Sequence, residues 1–177
     1  MLFRVGPRLA LAGFALLSFA HFAAAQAPKI AVVNLQRAVL DSAEIKKASA
    51  EMETRYKPRT SQLDQLQKEL AGISQQLQTN QGKLTPQAEA DLQAQGQRKQ
   101  RDAQRLQEDL QADVDRERNE ILSEASKRMQ EVIKKLAEER GLDLVVDVTN
   151  GAALYFKPAL EITNDAIAAY DKAYPAK

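Results

Sequence analysis

The chain has 177 residues, with 25 Lys and Arg against 24 Asp and Glu, a formal net charge of +1 and a hydrophobic fraction of 44%. It contains no Cys, no Trp and a single His. The charge balance argues against a nucleic-acid-binding protein, which carries a clear basic excess. The lack of Cys excludes disulfides, thiolate chemistry and a lipid-modified cysteine anchor.

Residues 1–25 read as a cleavable signal peptide. Arg4 and Arg8 form a positive leader, residues 9–22 are apolar and free of Lys, Arg, Asp and Glu, and Ala23, Ala24 and Ala25 supply the small residues of a cleavage site. The cut is expected after Ala25. The competing reading is an uncleaved membrane anchor, against which stand the shortness of the run and the cleavage pattern. Removing Arg4 and Arg8 from the 25 basic residues leaves 23 against 24 acids, so the mature chain is near −1. His21 leaves with the leader, so the mature chain has no His, Cys or Trp. Common zinc sites, Ser–His or Cys–His nucleophiles and a His general base are then unavailable. The expectation is a protein that is not an enzyme and has no catalytic residue, cofactor or metal.

Residues 29–33 are short, apolar and β-branched, which predicts a strand. Asn34 follows as a cap for a short helix over 35–40. Asp41, Ser42, Ala43 and Glu44 fit a capping-box pattern with Asp41 as the cap, so a long helix is expected from there. Pro58 interrupts it and should kink or break it, because proline removes a backbone donor and clashes with the preceding turn. Both a static kink and a hinge fit that position.

From Ser61 the pattern becomes a heptad seam: Leu63, Leu66, Leu70, Ile73 and Leu77 step by three and four residues. A break spans residues 79–86, with Thr85 and Pro86 as an N-cap and a first helical position. A second seam follows through Leu92, Gly96, Lys99, Ala103, Leu106 and Leu110, in which Gly96 and Lys99 are poor knobs. Two such helices joined by a short break predict a long antiparallel hairpin. The descending helix should run to about residue 139, close to 80 Å at 1.5 Å per residue. Its apolar stripe widens from Val114 towards Ala137, as if more than one neighbour waited at the foot.

After Gly141 the period changes to two. Residues 142–148 give the strongest strand signal in the chain. Asn150 and Gly151 predict a β-hairpin with a third strand over 153–156. Pro158 ends that strand, and Thr163 is the expected cap of a last helix with Ile167 and Tyr170 facing inward. The fold class is therefore α+β and mostly α: a long helical coiled-coil hairpin on a small three-stranded body. The body comprises residues 26–41 and 141–177, and the arm residues 42–140 with its tip near 80–86. Ile30, Val32, Leu144, Val146, Leu154 and Phe156 are the candidate body positions, either a subunit interface or an internal core. So small a foot buries little and leaves sheet edges open, which favours oligomerisation.

Several segments together resemble the Skp/OmpH family of periplasmic chaperones for outer-membrane proteins. They are Lys29-Ile30-Ala31-Val32-Val33-Asn34, Tyr56-Lys57-Pro58-Arg59, Leu142-Asp143-Leu144-Val145-Val146-Asp147 and Glu161-Ile162-Thr163, in that order around a hairpin of about a hundred residues behind a signal peptide. The resemblance covers the mature chain. It implies a homotrimer whose strands form a central barrel-like body from which three helical arms project. The arms would enclose an unfolded outer-membrane β-barrel protein in the periplasm, without ATP. Pro58 is the candidate hinge of such an arm.

The best-known members of that family are strongly basic, and this chain departs from them. Its only dense basic cluster is Arg98, Lys99, Arg101 and Arg105, diluted by Asp102. That cluster is either a solvated helix face or a contact for anionic client or lipid. A lipopolysaccharide site does not carry over, because its basic residues find no match here. The alternative function is a structural coiled-coil adaptor of the cell envelope, although the larger domains that flank such hairpins have no counterpart in this chain.

Overall fold

The computed structural model describes residues 27–176; the expected signal peptide lies outside the described residues. The elements run β1 (Ile30–Val33), α1 (Leu35–Asp41), α2 (Ala43–Thr79), α3 (Pro86–Arg140), β2 (Leu144–Asp147), a 3-10 turn (Pro158–Leu160) and α4 (Thr163–Ala173). Most of the chain lies in α2 and α3, with 37 and 55 residues. At 1.5 Å per residue α3 alone is about 80 Å long.

The caps account for most of the boundaries. The Asn34 side chain accepts the Arg37 N–H at 2.8 Å and starts α1. The cap of α2 is Ser42, one residue later than the expected Asp41; its hydroxyl is buried and also donates to the Val39 carbonyl at 2.7 Å. Thr85 accepts the Ala88 N–H at 3.2 Å, Pro86 opens α3, and Gly141 closes it in the left-handed conformation at φ 59°. The Leu142 N–H then returns to the Ala137 carbonyl at 2.9 Å, satisfying one of the last carbonyls of the helix. Thr163 is not the cap of α4. It is the first residue of that helix and fully buried, and its hydroxyl accepts the Asn34 N–H at 3.0 Å, tying α4 to the end of β1.

α2 and α3 pack antiparallel along the two seams. Ile73 and Ala103 are buried there, and the remaining seam positions from Leu63 to Leu110 are half-buried between exposed flanks. Gly96 suits its place, since a Cβ on it would stand 3.4 Å from the Ile73 side chain. Lys99, the other poor knob, carries its ammonium across to Glu69. The expected break at Pro58 does not occur: α2 is one helix from Ala43 to Thr79, and Pro58 sits on its exposed side. Thr54, whose carbonyl loses its helical donor there, is an exposed residue as well, which lowers the cost of an internal proline.

The sheet differs from the expected three strands. β1 and β2 pair in parallel, with Ile30 opposite Leu144 and Val33 opposite Asp147. The other edge of β1 is taken by an isolated bridge to Glu161 and by the Ile162 N–H, 2.9 Å from the Val32 carbonyl. Residues 153–156 form no strand. The turn at Asn150 and Gly151 is present, with Gly151 at φ 72° and its N–H on the Val148 carbonyl. The Asp147 carboxylate meanwhile accepts both the N–H and the hydroxyl of Thr149, at 3.0 and 2.6 Å. That side-chain turn competes with ladder pairing and leads the chain away from the free edge of β2.

The core lies at the foot of the arm. Ala31 and Val33 of β1, Val39 of α1, Met129 and Val132 of α3, and Tyr170 of α4 pack into one cluster, with Val145 of β2 against it. The widened stripe of α3 is thus explained by contacts with α1 and α4 as well as α2.

Candidate functional site: body face, clasp and arm surface

Strand alternation puts Ala31, Val33 and Val145 on the helix-covered side of the sheet. Ile30, Val32, Leu144 and Val146 therefore share the opposite side. Val32 is buried by its neighbours on both edges, whereas Ile30 and Leu144 are 38% and 51% exposed and Val146 is half-buried. Beyond β2, Leu154 is fully exposed, Tyr155 is 82% exposed and Phe156 is half-buried. The six candidate body positions thus divide: Val32 is packed within the chain, Val146 and Phe156 are half-buried, and Ile30, Leu144 and Leu154 present apolar surface to solvent.

A polar clasp joins the arm to the body. Arg128 of α3 holds both carboxylate oxygens of Glu44 of α2, at 3.0 and 3.2 Å. The Tyr170 hydroxyl of α4 donates to the same carboxylate at 2.6 Å. The Arg128 guanidinium also lies over the Tyr174 ring, 5.2 Å from its centroid, and pairs with Glu124 at 2.9 Å. Burial acts against the Arg128 charge, but Glu44, with Tyr170 and Glu124, outweighs it and holds the guanidinium protonated. Burial raises the Tyr170 phenol far above its ordinary value, and the Glu44 hydrogen bond adds to this, so the hydroxyl stays a donor. The start of α2 is fixed a second time by the Ala43 N–H, 2.9 Å from the Asp171 carboxylate. Glu124 and Arg128 by themselves form an ordinary i,i+4 pair on the helix surface; Glu44 and Tyr170 join it only once the chain has folded.

Further out, three contacts bracket Pro58. Arg55 pairs with Glu117, the Tyr56 hydroxyl donates to Glu117 at 2.7 Å, and Arg59 reaches Asp113 at 2.7 Å. The Tyr56 phenol is raised, first by its hydrogen bond to Glu117, and the Asp113 carboxyl is lowered, first by its bond from Arg59. The helix that proline weakens is thus tied to its neighbour on both sides of the weak point.

The basic cluster near the tip does not act as one group. Lys99 faces the seam and Glu69. Arg105 is exposed and makes a long i,i+4 pair with Asp109 at 3.7 Å. Arg98 and Arg101 are exposed and form no ion pair among the described residues. Two to three arginines therefore present positive charge to solvent in place of the four expected cations. A different cation, Arg118, stands in an apolar groove at the root of the arm. An isolated arginine within a run of alternating charge carries no local signal, so sequence reading does not single it out.

A long hairpin clasped to a small parallel-sheet body, with apolar strand positions left open, defines a helical-arm protein. Residues 29–170 match the model of the family described as outer membrane protein (OmpH-like). The chain belongs to that family. Among solved structures it is similar to the OmpH-like protein of Caulobacter crescentus CB15, a proposed outer membrane chaperone. The two share 20% identity, 85% of this chain and 88% of that chain are covered, and the TM-score is 0.68, which establishes the fold in common. No curated protein matches the chain.

Proposed function

We propose that this protein is an ATP-independent periplasmic holdase. It binds unfolded outer-membrane β-barrel proteins between the arms of a homotrimer and keeps them from aggregating before membrane insertion. The observation that carries the reading is the 37- and 55-residue antiparallel arm on a body that leaves Leu154 and Tyr155 exposed, together with Leu144 on a strand paired along one edge only among the described residues. Such an edge next to apolar surface favours association of several copies through their bodies. The arms then stand around a common space. Unfolded barrels expose apolar side chains and unpaired strand edges, so a surrounding wall of arms reduces encounters between them. Many weak contacts along polar arms release a client without an energy source. Family membership and the fold shared with a proposed outer membrane chaperone support the same reading. The mature chain, lacking His and Cys, acts by binding and not by catalysis.

The test is light-scattering mass after size exclusion, on the mature chain with and without a urea-denatured outer-membrane β-barrel. A trimer that gains the mass of one soluble client is expected. A chain that leaves the barrel to precipitate removes the holdase reading and favours an envelope adaptor that works through a protein partner.

A further inference from the structure

Two cavities of about 280 and 240 Å³ adjoin at the root of the arm and share Leu40, Arg118 and Leu122 as a common wall. Leu35 and Val39 give the first an apolar floor edged by Gln36, Ser126, Asp147 and Thr149, and Ile45, Met52 and Ile121 give the second an apolar floor. Arg118 is exposed, and its guanidinium forms no ion pair or hydrogen bond among the described residues. The acid nearest to it on the N-terminal side of its own face, Asp115, accepts a hydrogen bond from Gln111 at 2.8 Å. The one acid lining the groove, Asp147, is held by the Leu35 N–H and by Thr149, and these bonds overcome burial to keep its carboxyl below the usual range. An uncommitted cation between two apolar floors complements one arrangement: a carboxylate flanked by apolar side chains.

From this we infer that the groove between α1, α2 and α3 docks acidic–apolar segments of unfolded polypeptide, with one apolar side chain in each cavity and an Asp or Glu carboxylate on Arg118. The inference rests on the holdase reading and names the part of a client that this site selects. In an extended segment alternate side chains fall on one face, so a Glu with an apolar residue two positions to either side supplies the three groups together. The charge-assisted bond adds selectivity at a point where the arms themselves are near neutral.

The probe is a labelled peptide, Gly-Leu-Ser-Glu-Ser-Leu-Gly, titrated into the full mature chain and followed by fluorescence anisotropy and by the methyl resonances of Leu35, Leu40 and Leu122. Replacing its Glu with Gln should weaken binding about tenfold, the worth of one charge-assisted hydrogen bond. R118Q should abolish that difference, and R118E should prefer the peptide with Lys in place of Glu. Arg118 is exposed and without a partner, so circular dichroism of both variants should match the parent. Equal binding of the Glu and Gln peptides to the parent chain, or a Glu preference that survives in R118Q, overturns the inference. So does a groove that takes no peptide while R118E lowers the oligomer mass, because a second copy then fills it. Suppression of barrel aggregation without any Glu preference overturns the groove alone. A Glu preference in a chain that fails to keep a barrel soluble supports the groove and removes the holdase reading.

Discussion

Tyr170 is the point at which the C-terminal helix, the start of the arm and its return meet. Its ring is fully buried and its hydroxyl completes the Glu44–Arg128 pair. Tyr170→Phe removes one hydrogen bond and should cost about 1 kcal/mol, whereas Tyr170→Ala leaves a cavity and should cost about 3–5 kcal/mol, both read from urea unfolding. Arg128→Ala leaves Glu44 with the tyrosine alone and should cost about 2 kcal/mol. The same contact sets an alkaline limit. Because the folded phenol titrates above its ordinary value, the folded state holds its proton more tightly than the unfolded chain does. Its contribution is fully present below about pH 10 and is lost as pH rises through the folded value. Stability measured from pH 8 to 11 should therefore fall less steeply in Tyr170→Phe than in the parent; equal slopes would show that Tyr170 is not the titrating group.

At the scale of the element, the arm is a seam with one tight spot and one weak one. Gly96 stands opposite Ile73, where a methyl group fits at ordinary contact distance. Gly96→Ala should thus gain helix propensity, about 0.5–1 kcal/mol, and raise the melting temperature. Gly96→Leu should lower it by forcing the two helices apart. Pro58 is the weak spot, and the Arg55, Tyr56 and Arg59 contacts span it. Pro58→Ala restores the missing backbone bond, so hydrogen exchange around Thr54 should slow and the range of barrel sizes kept soluble should narrow. Unchanged holdase activity across small and large barrels would remove the hinge. The Asp113 carboxyl is held below its ordinary value by Arg59, so this tie persists above about pH 4 and loosens only in stronger acid.

The arm was legible in the sequence because its determinants are local. Heptad steps, Thr85 with Pro86, and Gly141 each act within a few residues. The body was not. Its parallel pairing joins residues more than a hundred positions apart, such as Lys29 and Asp143. The third strand does not form because the Asp147–Thr149 side-chain turn competes with the hairpin that Asn150 and Gly151 alone would favour. The heptad steps already put Lys99 in the seam, apart from Arg98, Arg101 and Arg105; its Glu69 partner on the facing helix comes only with the fold. Arg98, Arg101 and Arg105 near the tip are legible as a basic run, whereas Arg118 at the root stands out only once the fold sets it between two apolar cavities.

For the whole molecule, charge and exposed apolar surface predict different dependences. A chain with 25 basic against 24 acidic residues lacks the basic field that makes association steeply sensitive to ionic strength, so raising salt from low to moderate should weaken client capture only slightly. A steep loss would mean that the exposed arginines dominate binding. Assembly, by contrast, should depend on residues that do nothing for the single chain. Leu154 and Tyr155 are almost wholly exposed in the protomer and contribute nothing to its core. Their replacement by Asp leaves the protomer's packing intact, so helicity and arm unfolding should match the parent. In an assembly closed through the body, the same charges would meet apolar surface of a neighbouring copy, where an unpaired carboxylate is costly. The double variant Leu154→Asp, Tyr155→Asp should therefore run as a monomer by light scattering while keeping its circular dichroism spectrum. It should also lose barrel solubilisation, since a single arm encloses nothing. A variant that stays oligomeric would place the subunit contact elsewhere, on the Ile30 and Leu144 side of the sheet. A monomeric variant that still keeps barrels soluble would show that one arm suffices and that the enclosing cage is not the mechanism.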